Sequence, residues 1–235
     1  MLYRWMGMAL KATGRDILYS ACNWGMHESE TWMRSVGAHR YRSTGDISDN
    51  FKSYTDIALS QEKKQCYGAP QCFNDMDMLI VGMYGKGNVA LGGCSDAEYR
   101  QHFALWCMFS SPLMMGGDLR GLNEESRKLL LNRELIAINQ DAEARPAFRI
   151  VCWDIPMYFK HLSNGEYALG IFNTTDKERS AFCPLTDMGL AQNSGYGMVF
   201  TDVFTGEESG VRLNDIEVKV GAHDCRVFRV RLVKR

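Results

Sequence analysis

Two grammars of hydrophobic and polar positions follow one another along the chain. Up to about residue 141, short apolar runs alternate with helix-like stretches. Met6 to Thr13 reads as a helix stopped by Gly14. Ile17 to Ala21 is a near-continuous apolar run, the pattern of a strand buried on both faces. Asp49 to Ser60 predicts a helix capped by Asp49 or Ser48, and Asp77 to Gly82 predicts a strand. Ser95 followed three residues later by Glu98 is a capping box opening a helix through Tyr99, Phe103 and Trp106. Pro112 to Gly116 predicts a further strand and Asn123 to Asn132 a further helix. Such alternation belongs to parallel α/β units.

After Arg145-Pro146 the period changes to two. Val151 to Leu162 and Glu166 to Asn173 flank Asn164-Gly165, a strong hairpin signal. Met198 to Phe204, Val211 to Leu213 and Asp224 to Val233 continue the alternation, which predicts an antiparallel β-sandwich. The reading divides the chain into an α/β part, 1–141, and a β-sandwich, 145–235.

Composition removes several classes of function. Of 235 residues, 46% are hydrophobic and 23% charged, and the formal net charge is −1, so disorder and the electrostatic footprint of a nucleic-acid binder are both excluded. No run of about 18 apolar residues is present, which argues against a membrane span. The N-terminus lacks the charged, apolar and cleavage regions of a signal peptide. The eight cysteines, Cys22, Cys66, Cys72, Cys94, Cys107, Cys152, Cys183 and Cys225, contain no Cys-x-x-Cys pair and read as free thiols, with a Cys66–Cys72 bridge as the alternative. No zinc-ligand spacing occurs. Met6, Met8, Met33, Met83, Met108, Met114 and Met115 read as core filler.

Functional groups of parallel α/β folds gather at the carboxyl ends of strands. Three such ends are polar here: Cys22-Asn23-Trp24-Gly25, Arg42 to Asp49, and Asn74 to Met78. Each has a plain structural reading. Asp46 or Asp49 could cap the next helix, Asn74-Asp75 could be a turn, and Trp24 could be a packed loop indole. Three polar ends in succession point instead to one shared pocket.

The residues at these ends resemble glycoside hydrolase family 27, which holds α-galactosidases and α-N-acetylgalactosaminidases. The resemblance is carried by Ala9 to Gly25, by Arg42-Ser43-Thr44-Gly45-Asp46-Ile47-Ser48-Asp49-Asn50, by Phe73-Asn74-Asp75-Met76-Asp77-Met78-Leu79, by Ser111 to Arg120 and by Ile136 to Asp141. Phe73 and Met76 depart from the Trp and Pro of the family signature. The resemblance implies the second half of a (β/α)8 barrel, strands five to eight, followed by an antiparallel β-sandwich. A whole barrel needs about 250 residues, and no Lys-Tyr-Asp-like nucleophile motif of strand four is found. The chain is accordingly expected to begin just after it, and to be inactive alone. The alternatives are a non-catalytic remnant, stabilised by self-association of half-barrels or by a partner chain carrying strands one to four, and an α-N-acetylgalactosaminidase of the same family.

By the same resemblance, Asp46 is the catalytic acid/base of a retaining hydrolase of terminal α-linked galactose. It needs a second carboxylate roughly 5 Å away, and burial or that neighbour to hold its proton. Arg42 is implied to bond the sugar 2-hydroxyl, with a structural ion pair to Asp46 or Asp49 as the alternative. Asn23 takes the place of a hydroxyl-binding residue. Met26 takes the place where small residues admit an N-acetyl group, so its bulk favours galactose. Asp77 and Met78 are implied as pocket walls. No metal or organic cofactor is implied, and the expected partner is an α-galactoside or oligosaccharide.

Overall fold

A computed structural model describes residues 1–87, 89, 92–151 and 155–235. Its first part holds a parallel sheet of three short strands, β1 (Ser20–Cys22), β2 (Arg40–Arg42) and β3 (Phe73–Asp75), in that spatial order. The register aligns Cys22, Arg42 and Asp75, the last residue of each strand. The expected strand at Asp77–Gly82 is displaced to Phe73–Asp75, because Asp77 has φ 96°, which ends the extended run. Beyond it, one parallel bridge joins Leu79 to Met115, and this is all that forms of the strand expected at Pro112–Gly116.

Among the described residues the first part also holds five α-helices, α1 (Leu2–Ala12), α2 (Phe51–Ser60), α3 (Asp96–Met108), α4 (Glu124–Leu130) and α5 (Arg133–Asn139), of which α2, α4 and α5 pack on α3. The capping box of α3 forms as the sequence predicts, Ser95 Oγ accepting from Glu98 N–H and the Glu98 carboxylate from Ser95 N–H. Gly14, at φ 67°, follows the end of α1, which starts four residues before the expected Met6. The cap of α2 is Asn50, whose Oδ1 accepts from Ser53 N–H at 2.9 Å. It is not Asp49, because that buried carboxylate is taken by Tyr99 Oη at 2.8 Å and Gly85 N–H at 2.7 Å. The segment expected as one helix from Asn123 becomes α4, capped by Asn123, and is followed by α5, capped by Asn132.

The second part pairs β4 (Phe148–Val151), β5 (Met157–His161), β6 (Tyr167–Phe172), β10 (Cys225–Lys234) and β8 (Tyr196–Asp202), in that order, in one antiparallel sheet. A two-stranded sheet, β7 (Arg179–Pro184) with β9 (Asp215–Val220), completes the sandwich. The single run expected from Val151 to Leu162 is thus two strands, β4 ending at Val151 and β5 beginning at Met157; its residues 152–154, with Cys152, lie outside the described residues. Val211–Leu213 contributes only a bridge, Arg212 to Met198. The Asn164-Gly165 hairpin forms as a three-residue loop with Gly165 at φ 80°, closed by Leu162 N–H on the Glu166 carbonyl.

Burial decides how the parts hold together. α3 is buried from Gln101 through Met108, and its Phe103 and Trp106 share one apolar cluster with Tyr158, Phe172 and Val227 of the sandwich. A second cluster, built on Phe159, Leu169, Phe200 and Val230, fills the space between the two sandwich sheets. Met33, Met83 and Met108 lie in the core as expected, whereas Met6, Met8 and Met114 are exposed. α1 buries no residue, so its methionines have no core to fill. Cys66 and Cys72 are free thiols, so the bridge considered between them does not form. Among the described residues no helix is long and apolar enough to cross a membrane.

Candidate active site

The loop after β1 is a tight turn over residues 23–26. Met26 N–H bonds the Asn23 carbonyl at 3.1 Å, and Asn23 Nδ2 donates to the Met26 carbonyl at 2.6 Å. Both central residues have positive φ, 58° at Trp24 and 78° at Gly25, as in type I′ turns. Glycine is required at 25, since a Cβ there would stand 2.3 Å from the Ser43 carbonyl oxygen. The bulky Trp24 has no such licence, and its left-handed backbone costs about 1–3 kcal/mol. That strain holds a half-exposed indole over the neighbouring strand end, where Nε1–H donates to Asp46 Oδ1 at 3.0 Å.

The loop after β2 carries Asp46 and its second partner. Arg42 Nη2 donates to Asp46 Oδ1 at 2.9 Å, and Arg42 Nη1 lies 2.8 Å from Asp77 Oδ1. The guanidinium therefore sits between two carboxylates, the use for which its fixed planar fork is suited. Both structural partnerships considered for Arg42 in the sequence are resolved: it pairs with Asp46, and its other partner is Asp77 instead of Asp49. Arg42 also donates to the Gly45 carbonyl at 3.0 Å, while its Nε is buried without an acceptor.

Asp77 is the fixed point of the cluster. Its Oδ2 accepts from Ile47 N–H at 2.7 Å and its Oδ1 from Met78 N–H at 2.7 Å, in addition to Arg42. Trp106 Nε1 bonds its carbonyl from α3 at 2.7 Å. Asp75, two residues earlier at the end of β3, takes the Asp77 N–H on Oδ1 at 2.9 Å. Burial pushes the Asp75 carboxyl above the usual carboxylate range, against that hydrogen bond and against Arg40 and Arg42, which pull it down.

These contacts bring Asn23, Trp24, Arg42, Asp46 and Asp77 together at the carboxyl ends of three parallel strands. Met26 lies exposed on the turn beside them, and Met78 is half-buried with its sulfur against Gly116. Asn23 is buried; its amide nitrogen closes the turn and its Oδ1 has no partner. Asp46 is the exposed member, with 73% of its side chain open. It is not buried, and Asp77, which shares Arg42 with it, is paired with that arginine at 2.8 Å. Residue order carries no sign that Trp24 bonds Asp46 or that Asp77 tethers Ile47. Only the positive φ at each, invisible in residue order, puts them there. Among the described residues no group of three or more His, Cys, Asp or Glu is placed to hold a metal ion.

Residues 1–141 match a family model described as alpha galactosidase A, and residues 153–230 one described as the alpha galactosidase C-terminal beta sandwich domain. The chain is 41% identical over 227 residues to alpha-galactosidase 2 of Arabidopsis thaliana, covering 96% of this chain and 54% of that protein. Among solved structures, a putative alpha-galactosidase/melibiase from Bacteroides fragilis superimposes with a TM-score of 0.90 at 33% identity, covering 97% of this chain and 50% of that one. Alpha-galactosidase I from Mortierella vinacea gives a TM-score of 0.88 at 28% identity, covering 97% and 62%. The chain thus spans about half the length of these relatives. What it matches is the second half of the (β/α)8 barrel and the antiparallel β-sandwich that follows. The chain belongs to the alpha-galactosidase A family of glycoside hydrolases, family 27.

Proposed function

We propose that this chain carries the acid–base side of a retaining glycosidase site that releases terminal α-linked galactose. The observation that carries the reading is the state of Asp46. It is the one carboxylate of the cluster that reaches solvent, while Asp49, Asp75 and Asp77 are buried and hydrogen-bonded. In the proposed reaction the Asp46 carboxyl gives its proton to the glycosidic oxygen as that bond breaks. The resulting carboxylate then takes a proton from the water that releases the sugar. Arg42, already pinned by Asp77, offers its remaining donor capacity to the sugar 2-hydroxyl. Asn23, Met26 and Met78 border the same opening.

A retaining site needs a second carboxylate roughly 5 Å from the first, and no other carboxylate of the cluster is free to attack. The reading therefore assigns the nucleophile to strands one to four of a complete barrel, joined to this chain or held by a partner chain. The division of the chain near residues 141–145 belongs to the same reading. It is supported by the change from parallel to antiparallel pairing between α5 and β4.

The test joins these 235 residues to the part of the Arabidopsis relative that they do not match. Hydrolysis of p-nitrophenyl α-D-galactopyranoside is then measured beside the chain alone. The expected result is turnover by the joined protein, little by the chain alone, and a loss of at least about 100-fold in D46N. A joined protein that hydrolyses the substrate and ignores D46N refutes the reading.

A further inference from the structure

Two hydrogen-bond donors converge on one oxygen of Asp46. Trp24 Nε1–H reaches Oδ1 at 3.0 Å and Arg42 Nη2 reaches the same atom at 2.9 Å. Neither group can accept a hydrogen bond, whatever the pH. Among the described residues no donor or acceptor engages Oδ2. A proton placed on Oδ1 would have to displace one of the two donors, whereas a proton on Oδ2 leaves both in place. We infer that Trp24 is a positioning residue that, with Arg42, confines the mobile proton of Asp46 to Oδ2 and so fixes which oxygen delivers it.

The backbone supports this assignment independently. Trp24 occupies a left-handed conformation that aromatic residues rarely take, and such outliers persist where surroundings over-determine them. Here the surroundings are specific: Gly25 is pressed on Ser43, and Asn23 closes the turn on Met26. The indole is thereby aimed across from β1 to the loop after β2. Asp46 Oδ2 is left facing solvent, where a leaving-group oxygen must approach. The charged groups around the pair are Arg42 from β2, Asp77 behind that arginine, and Asp75, level with Arg42 in the sheet and paired with Arg40. The use of the confined proton rests on the acid–base reading of Asp46, but its detection does not.

The chain has five tryptophans, hence five indole N–H signals in a proton–nitrogen NMR spectrum, and W24F identifies the signal of Trp24. In the wild-type protein that signal should move on acidification and exchange slowly with water. D46N, which keeps an acceptor oxygen, should retain the slow exchange and abolish the movement. D46L should abolish both. A Trp24 signal that does not titrate, or titrates equally in D46N, overturns the contact. An atomic-resolution structure at acid pH reads the oxygen directly: Cγ–Oδ2 should be the longer carbon–oxygen bond, and a longer Cγ–Oδ1 overturns the assignment. A joined protein that hydrolyses galactosides with an uncoupled indole defeats this inference alone. A coupled indole beside an activity indifferent to D46N defeats only the acid–base reading.

Discussion

Asp77 Oδ2 accepts the backbone N–H of Ile47 at 2.7 Å, so the loop after β3 sets the position of the residue that follows Asp46. The same carboxylate pairs with Arg42, which in turn bonds Asp46. Asp77 thus reaches the exposed acid by two routes, one through backbone and one through a guanidinium. D77N keeps the size of the side chain but loses one carboxylate oxygen and the charge that balances Arg42. Breaking a mostly buried pair in this way should cost roughly 3 kcal/mol of stability, read from urea unfolding. In the joined protein it should also lower kcat toward the aryl galactoside. A D77N protein as stable as wild type would show that Arg42 and Ile47 are held by something else.

The parts legible in residue order were those fixed by local chemistry. The Ser95–Glu98 box, the Gly14 stop and the Asn164-Gly165 hairpin each depend on neighbours a few residues apart, and all three formed. The choice of Asn50 over Asp49 as the cap of α2 was not legible. Both residue types cap helices, and the decision is made by Tyr99, fifty residues along the chain. β7 was not legible, since it alternates only in its second half, whereas β9 was legible and passed over: Asp215-Ile216-Glu217-Val218-Lys219-Val220 alternates polar and apolar throughout. In the site, the motifs placed Arg42, Asp46 and Asp77 at adjacent strand ends. Their connection through one guanidinium, and the indole contact to Asp46, depend on loop dihedrals that no spacing encodes.

Met26 stands exposed on the turn that Gly25 presses against Ser43. On the proposed reading, its side chain takes the space that an N-acetyl group would need. M26A in the joined protein should raise hydrolysis of the aryl α-N-acetylgalactosaminide relative to the galactoside by about tenfold. The wild-type protein should prefer the galactoside. A wild-type preference for the N-acetyl sugar, or a ratio unchanged in M26A, would remove Met26 from the specificity argument.

His102 is fully buried on α3, packed against Trp106 and Tyr54, with Nε2 accepting Ile80 N–H at 3.2 Å and Nδ1 lacking a partner. Burial pulls its pKa down to about 3 from 6.5. The unfolded chain therefore binds a proton that the folded chain refuses, and stability falls as pH drops from 6.5 toward 3. The slope from this residue reaches about 1.4 kcal/mol per pH unit. H102Q, which keeps an acceptor for Ile80, should be less stable than wild type at neutral pH and lose less on acidification. Parallel curves of stability against pH for the two proteins would contradict the buried neutral imidazole.

Lys160 crosses from β5 into the α/β part with no exposed surface, and its Nζ donates to the Cys107 carbonyl at 3.3 Å, Ser110 Oγ at 2.7 Å and the Ile138 carbonyl at 2.5 Å. It closes the carboxyl ends of α3 and α5 together, which places one charge where two helix dipoles are negative. Burial nevertheless lowers its pKa to about 8 from 10.5, against the opposing pull of Cys107 and Asp141. The sign follows from proton binding: between these two values the unfolded chain holds the proton more tightly, so stability contributed at this site rises with pH. K160M removes the titration and leaves the carbonyls at the helix ends without their donor at every pH. The stability of wild type minus that of K160M should therefore increase between pH 8 and 10.5, by about 3 kcal/mol in total, in matched urea unfolding series. Tyrosine and cysteine titrations are common to both proteins and cancel in the difference. A difference that stays flat across this window would mean that Lys160 keeps its proton in the folded state, with the three acceptors outweighing the burial.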